Sequence, residues 1–157
     1  IFRDIFLISN TPEAYNHLEL PTYPDLIPSF GPLGGIYTGL HVIPADVGFF
    51  VACDMPSLNE DLIRYQVNIR DDFDVVAPRI DWRIEALHTL YRKRCLPLMQ
   101  ELIQGGIYQV FRFFSHAAVR YVDEHEIKRF DPNLRSFYNI NRPQERDAFL
   151  AGRQEEP

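Results

Sequence analysis

The chain has 157 residues, 46% of them apolar and 24% charged, which fits one soluble globular domain large enough to bury a core. Its net charge of −6 argues against a duplex nucleic-acid binder, which would show a basic face, but leaves free nucleotides open. No apolar run approaches the roughly 18 residues that cross a bilayer, no basic n-region with a cleavage site is present, and Cys53 and Cys95 make neither a disulfide framework nor a zinc site. They read as buried or partly buried thiols in a reducing cytoplasm.

Ile1 stands where a methionine would start a chain, and the first residues already look like core strand, so the polypeptide is expected to begin earlier. Ile5 to Ile8 reads as a short strand closed by Ser9-Asn10-Thr11-Pro12, with a helix running from there to about Leu18. Leu20 to Tyr23 is a short extended piece, and Asp25 lies in a loop between Pro24 and Pro28. From Gly31 a helix follows, with Leu33, Ile36, Tyr37 and Leu40 on one face. Val47 to Cys53 is a continuous apolar run, the pattern of a strand buried on both faces. Asn59 caps the next helix, whose inward stripe is Leu62, Ile63 and Val67.

Asp74 to Pro78 is a further strand, and Leu87 to Tyr91 alternates enough to be an antiparallel one. Leu96 to Ile103 is an amphipathic helix stopped by Gly105-Gly106. Val110 to Phe114 suits a short helix, Val119 to Val122 a strand, and Phe137 to Asn141 the last strand, with Asn139 and Asn141 sharing one of its faces. A closing helix starts at Pro143 and packs Phe149 and Leu150 inward, before a polar, frayed tail over 152–157. Strands alternating with helices predict an α/β sheet, mostly parallel, which the antiparallel Leu87–Tyr91 strand would make mixed.

In open α/β sheets, ligands bind beyond the carboxyl ends of strands. Asp54 sits at such an end, and the run Gly31-Pro32-Leu33-Gly34-Gly35 lets a backbone approach a bound group closely. One carboxylate beside a glycine-rich turn suits Mg²⁺ and nucleotide phosphates. His88, on a strand, is expected to be a hydrogen-bonded core histidine, and His17, His41, His116 and His125 show no metal-type spacing. Cys53, just before Asp54, is expected to point away from the cleft. Phe111, Phe113 and Phe114 read as core and helix anchors.

Four segments carry a resemblance. They are Gly31-Pro32-Leu33-Gly34-Gly35-Ile36; Ala52-Cys53-Asp54-Met55-Pro56; Glu85-Ala86-Leu87-His88-Thr89-Leu90-Tyr91 with the helix behind it; and Phe137-Tyr138-Asn139-Ile140-Asn141-Arg142-Pro143. In this order and spacing they resemble the molybdenum cofactor guanylyltransferases, a nucleotidyltransferase family, which implies a three-layer, Rossmann-like α/β fold with a mixed, mostly parallel sheet of the nucleotide-diphospho-sugar transferase type. The resemblance runs from about Ile5 to about Ala151. It implies a single nucleotidyltransferase domain over 1–157 and a cytoplasmic enzyme joining GMP from GTP to molybdopterin, with Mg²⁺ as cofactor. GTP, molybdopterin and molybdoenzyme maturation proteins are the implied partners, with no nucleic acid and no membrane. It also implies roles: Asp54 as metal ligand and catalytic carboxylate, Asn10, Asp25, Gly34 and Gly35 at the nucleotide, and Asn139 and Asn141 at the acceptor.

Three departures stand out. Ala86 replaces the family's usual proline and Arg142 its threonine. The family's opening strand and glycine-rich phosphate loop with its lysine have no counterpart here, and are expected before Ile1. A CTP- or sugar-phosphate-using relative, or a non-catalytic binding homologue, are the competing readings.

Overall fold

The computed structural model describes residues 1–153, the last two by backbone alone. A mixed sheet forms its middle layer. β3 (Val47–Val51) pairs with β6 (His88–Arg92), which pairs with β4 (Val75–Ile80); β4 in turn carries the short β5 (Arg83–Ile84) and β7 (Val119–Asp123). β3 and β4 both run antiparallel to β6, and β7 runs parallel to β4, so β3, β4 and β7 share one direction. Their carboxyl ends therefore lie along one edge of the sheet. A separate parallel pair, β1 (Leu7–Ile8) and β2 (Thr22–Tyr23), is joined to the rest by α1 (Gly31–Val42), which packs against both β1 and β3.

Alternation along the strands separates two cores. Val75, Ala77 and Tyr91 face α1, α3 (Leu96–Gln104) and α4 (Val110–Phe114), where Leu33, Ile36, Leu40, Met99 and Phe113 are buried. Val76, Ile80, Leu90 and Val122 face the other way, onto Leu62 of α2 (Glu60–Asn68) and Ile127 of α5 (Glu124–Ile127). Helices thus cover both faces, and the expected three-layer mixed α/β architecture is present. The Asn59 side chain caps α2 by accepting from the Leu62 N–H at 2.9 Å, as its position before an apolar stripe suggested. Gly105-Gly106 ends α3, with Gly106 at φ +72°.

Several expectations need correcting. Pro12–Leu18 is a 3₁₀ helix, and Thr11 makes no capping hydrogen bond from its side chain. β3 stops at Val51, with Val51 and Cys53 exposed, because β3 pairs on one side only within the described sheet. Phe137–Asn141 is not a strand. A 3₁₀ turn over Arg135–Phe137 leads into an extended segment that makes no ladder, and its Ile140 N–H binds the Asp54 carbonyl instead. α6 (Pro143–Arg153) closes the described chain with Leu150 half exposed rather than inward. The expected tail over 152–157 begins as helix at 152–153, and the remainder lies outside the described residues. No helix among the described residues is long and apolar enough to cross a membrane.

Candidate functional site

Asn10 follows β1 and Asp25 follows β2, and because these strands are parallel the two residues meet beyond their ends. The Asn10 amide donates to Asp25 Oδ2 at 2.9 Å, and the Asp25 N–H donates to Asn10 Oδ1 at 2.9 Å. This reciprocal pair fixes the carboxylate, yet Asp25 Oδ1 is buried with no partner among the described residues. That oxygen overlooks the first turns of α1: a Cβ built on Gly35 would stand 3.8 Å from it. The next loop residue is tied to the same helix, the Leu26 N–H donating to Thr38 Oγ1 at 2.9 Å.

Gly34 does something different. A Cβ there would meet Phe30 Cβ at 3.0 Å and the Ile27 carbonyl at 3.1 Å, so glycine lets the loop before α1 close onto the helix. α1 begins with no side-chain cap and no acidic residue in its first turn. Its positive end is therefore left to an anion from outside.

Asp54 lies three residues beyond β3, on the edge where β3, β4 and β7 all end. The Ile140 N–H donates to its carbonyl at 2.8 Å, and the Asn59 N–H donates to Ser136 Oγ at 3.1 Å. These two bonds draw the 136–141 segment alongside 54–59. Asn139 and Asn141 flank Ile140 and are exposed beside Asp54, so the acceptor-side candidates reach the acidic residue without the strand expected to carry them. The Asn141 N–H is itself held by Glu145 Oε2 at 2.8 Å.

Asp54 Oδ1 is buried and has no partner among the described residues. Among the described residues no three His, Cys, Asp or Glu side chains converge on one point, so an all-protein metal cage is not formed here. A single unpartnered carboxylate is the donor set Mg²⁺ takes when substrate phosphates and water complete its octahedron. The residues therefore fit Mg²⁺ arriving with a nucleotide. The Asn10–Asp25 pair and Asp54 form two clusters: no hydrogen bond joins them among the described residues, and α1 links the sheets that carry them.

His88 is fully buried, as expected of a core residue, but both ring nitrogens lack hydrogen-bond partners among the described residues, which corrects the expectation of a hydrogen-bonded histidine. Its ring sits 5.0 Å from Phe49 and 4.9 Å from Phe137, and burial pushes its pKa down to about 4. Glu85, from the same motif, is half-buried, and burial raises its carboxyl above the usual range. Burial likewise pushes the Cys95 thiol up to about 12, which makes it inert, whereas Cys53 is exposed rather than the buried or partly buried thiol expected. Phe113 and Phe114 are core residues, while Phe111 is 58% exposed. The β4–β5 hairpin and its exposed Trp82 were not anticipated from the sequence, because Asp81-Trp82 lacks the glycine that marks a tight turn.

A mixed sheet with co-directional strands ending at an unpartnered carboxylate, beside a glycine-rich helix start, defines a nucleotidyltransferase-type α/β fold. The chain belongs to the MobA-like NTP transferase domain family, whose profile matches residues 1–121. It is 35% identical over 144 residues to the molybdenum cofactor guanylyltransferase of Syntrophotalea carbinolica, an alignment covering 90% of this chain and 68% of that one. With the molybdenum cofactor guanylyltransferase of Desulfosudis oleivorans it shares 32% identity over 155 residues, 96% of this chain and 77% of the relative. The crystal structure of molybdopterin-guanine dinucleotide biosynthesis protein A from Archaeoglobus fulgidus has the same fold, with a TM-score of 0.79 at 21% identity, over 94% of this chain and 78% of that one.

Proposed function

We propose that this protein is a Mg²⁺-dependent guanylyltransferase that moves GMP from GTP onto molybdopterin. A phosphate oxygen of the acceptor attacks the α-phosphorus, the α–β anhydride bond breaks, and pyrophosphate leaves with the bonding pair. The product is molybdopterin guanine dinucleotide. The acceptor phosphate is already anionic at neutral pH, so no general base is required, and catalysis rests on alignment and charge stabilisation.

Asp54 would hold the metal, which when bound offsets the negative charge that develops on the phosphates. Asn10 sets the Asp25 carboxylate on the nucleotide side, and Gly35 leaves room for the ligand over the start of α1. Asn139 and Asn141 serve the acceptor phosphate, held in place by the Ile140–Asp54 bond. The free thiols of Cys53 and Cys95 suit a reducing cytoplasm.

The observation that carries the proposal is the buried, unpartnered Asp54 Oδ1 beside the Asn139–Asn141 segment in a chain of this family. Calorimetric titration of the intact protein with GTP and CTP, each with Mg²⁺, tests it. Tighter binding of GTP is expected, and tighter binding of CTP would overturn the guanylyl assignment.

A further inference from the structure

The carboxyl edge that holds Asp54 has a second feature, farther along the sheet. β4 and β7 lie side by side with Arg79 opposite Asp123 in register, and beyond their ends opens a cleft of about 370 Å³ lined by Arg79, Asp81, Trp82, Asp123, Glu124 and His125. Trp82 stands at the tip of the β4–β5 hairpin, 89% exposed. It shares with Asp81 a left-handed backbone, φ +67° and +47°, in a turn that Asp-Gly would serve without strain. The Arg79 guanidinium lies 4.6 Å over Tyr121 and 5.9 Å over Trp82, anchored to Asp123 at 2.7 Å. The indole thus stands exposed at the cleft mouth with the anchored Arg79 guanidinium over its ring. Asp123 is committed to Arg79 and Glu124 to Lys128, whereas Asp81 has no partner among the described residues.

We infer that this cleft takes the pterin ring of the acceptor, an inference that rests on the transfer reaction proposed above. A pterin is a flat heteroaromatic ring, suited to stacking on the exposed Trp82 indole. Its amino-pyrimidinone edge carries two adjacent N–H donors that one carboxylate accepts in parallel, as it does from guanidinium, and Asp81 is the carboxylate free to do so. The position also fits. β4 is two strand spacings from β3 and β7 three, so the cleft lies on the order of 10–15 Å across the edge from Asp54. Molybdopterin carries its phosphate at the end opposite the amino-pyrimidinone ring, so its phosphate can lie at Asp54 while its ring lies at Trp82.

The remaining space agrees. Acceptor and nucleotide must reach the α-phosphorus from separate parts of the site. The Asn10–Asp25 pair and α1 occupy the β3 flank of the sheet, which leaves the β4–β7 flank to the acceptor.

Trp82 is the chain's one tryptophan, so its fluorescence reports on this site alone. Titration of the intact protein with neopterin monophosphate is expected to quench Trp82 saturably, beyond any effect on free N-acetyltryptophanamide. Asp81→Asn, which keeps a residue tolerant of the left-handed backbone, is expected to weaken that binding roughly tenfold. An emission that ignores the pterin, or an Asp81→Asn protein that binds it as tightly as the wild type, would overturn the inference. GMP transfer from GTP, assayed on the same preparation, separates the two claims. Transfer with a silent Trp82 removes the pterin cleft alone, and quenching without transfer supports the cleft while removing the reaction.

Discussion

His88 makes stability depend on pH in a window that can be isolated. Its ring is fully buried between Phe49 and Phe137, and among the described residues no group stands in hydrogen-bond geometry to either nitrogen. Burial, only partly offset by the polar backbone of His88 itself and by the charge of Asp131, moves its pKa from 6.5 down to about 4. Above 6.5 the imidazole is neutral in both folded and unfolded chains, and its contribution to stability is fully present. Between 6.5 and about 4 the unfolded chain takes up a proton that the folded chain refuses, so stability falls with pH. Below about 4 both states are protonated and the loss stops growing. At about 1.4 kcal/mol per pH unit the window is worth roughly 3 kcal/mol.

Urea unfolding at several pH values between about 7 and about 4 would measure the loss. His88→Phe keeps a ring against Phe49 and Phe137 but removes the proton site, so its stability should fall by roughly 3 kcal/mol less across the same range. Glu126 does not obscure this: burial would raise its carboxyl, but hydrogen bonds from Arg120 and Tyr65 hold it down to about 2, so its loss begins only below the ordinary carboxylate pKa of 4.5. Wild type and His88→Phe losing stability in parallel would refute the neutral, buried imidazole.

Gly39→Ala should destabilise the fold by about 1–3 kcal/mol in chemical denaturation, despite the helix propensity of alanine. A Cβ there would stand 2.3 Å from Phe50 Cε1, and the Phe50 ring is hemmed in by Gly48 and by Tyr91 at 5.5 Å; Phe50→Leu in the same protein should recover part of the loss. Gly34→Ala and Gly35→Ala should part company. The first lowers thermal stability because Phe30 and the Ile27 carbonyl must move, whereas the second leaves the melting temperature nearly unchanged and weakens GTP binding. Equal losses of stability in the two variants would mean that Gly35, like Gly34, serves packing alone.

Local rules made most of the elements legible in the sequence. Leu33, Ile36, Tyr37 and Leu40 mark the buried face of α1, Asn59 its successor's cap, and Gly105-Gly106 the end of α3, because periodicity, capping and left-handed glycine act within a few residues. Pairing is not local, and there the sequence was a poorer guide. The Asn139–Asn141 alternation looks like a strand, yet its amide at Ile140 finds Asp54, 86 positions away, rather than a neighbouring strand. Most buried polar groups hold a hydrogen bond, yet the His88 ring packs between Phe49 and Phe137 with neither nitrogen partnered among the described residues, a long-range arrangement that no local pattern signals. At the site, the Asn10–Asp25 pairing follows from a parallel register that two-residue strands cannot announce. The Trp82 hairpin was hidden because strained turns lack the residues that advertise them.

The account depends most on the Asp54 carboxylate holding Mg²⁺ against a bound nucleotide. Calorimetry of GTP binding with Mg²⁺ and with EDTA, on wild type and Asp54→Asn, measures it directly. Wild type is expected to bind GTP at least about tenfold more tightly with Mg²⁺, and Asp54→Asn to lose that difference while melting at nearly the wild-type temperature, since Oδ1 has no partner in the fold. An Asp54→Asn protein that keeps the full Mg²⁺ enhancement would contradict the account.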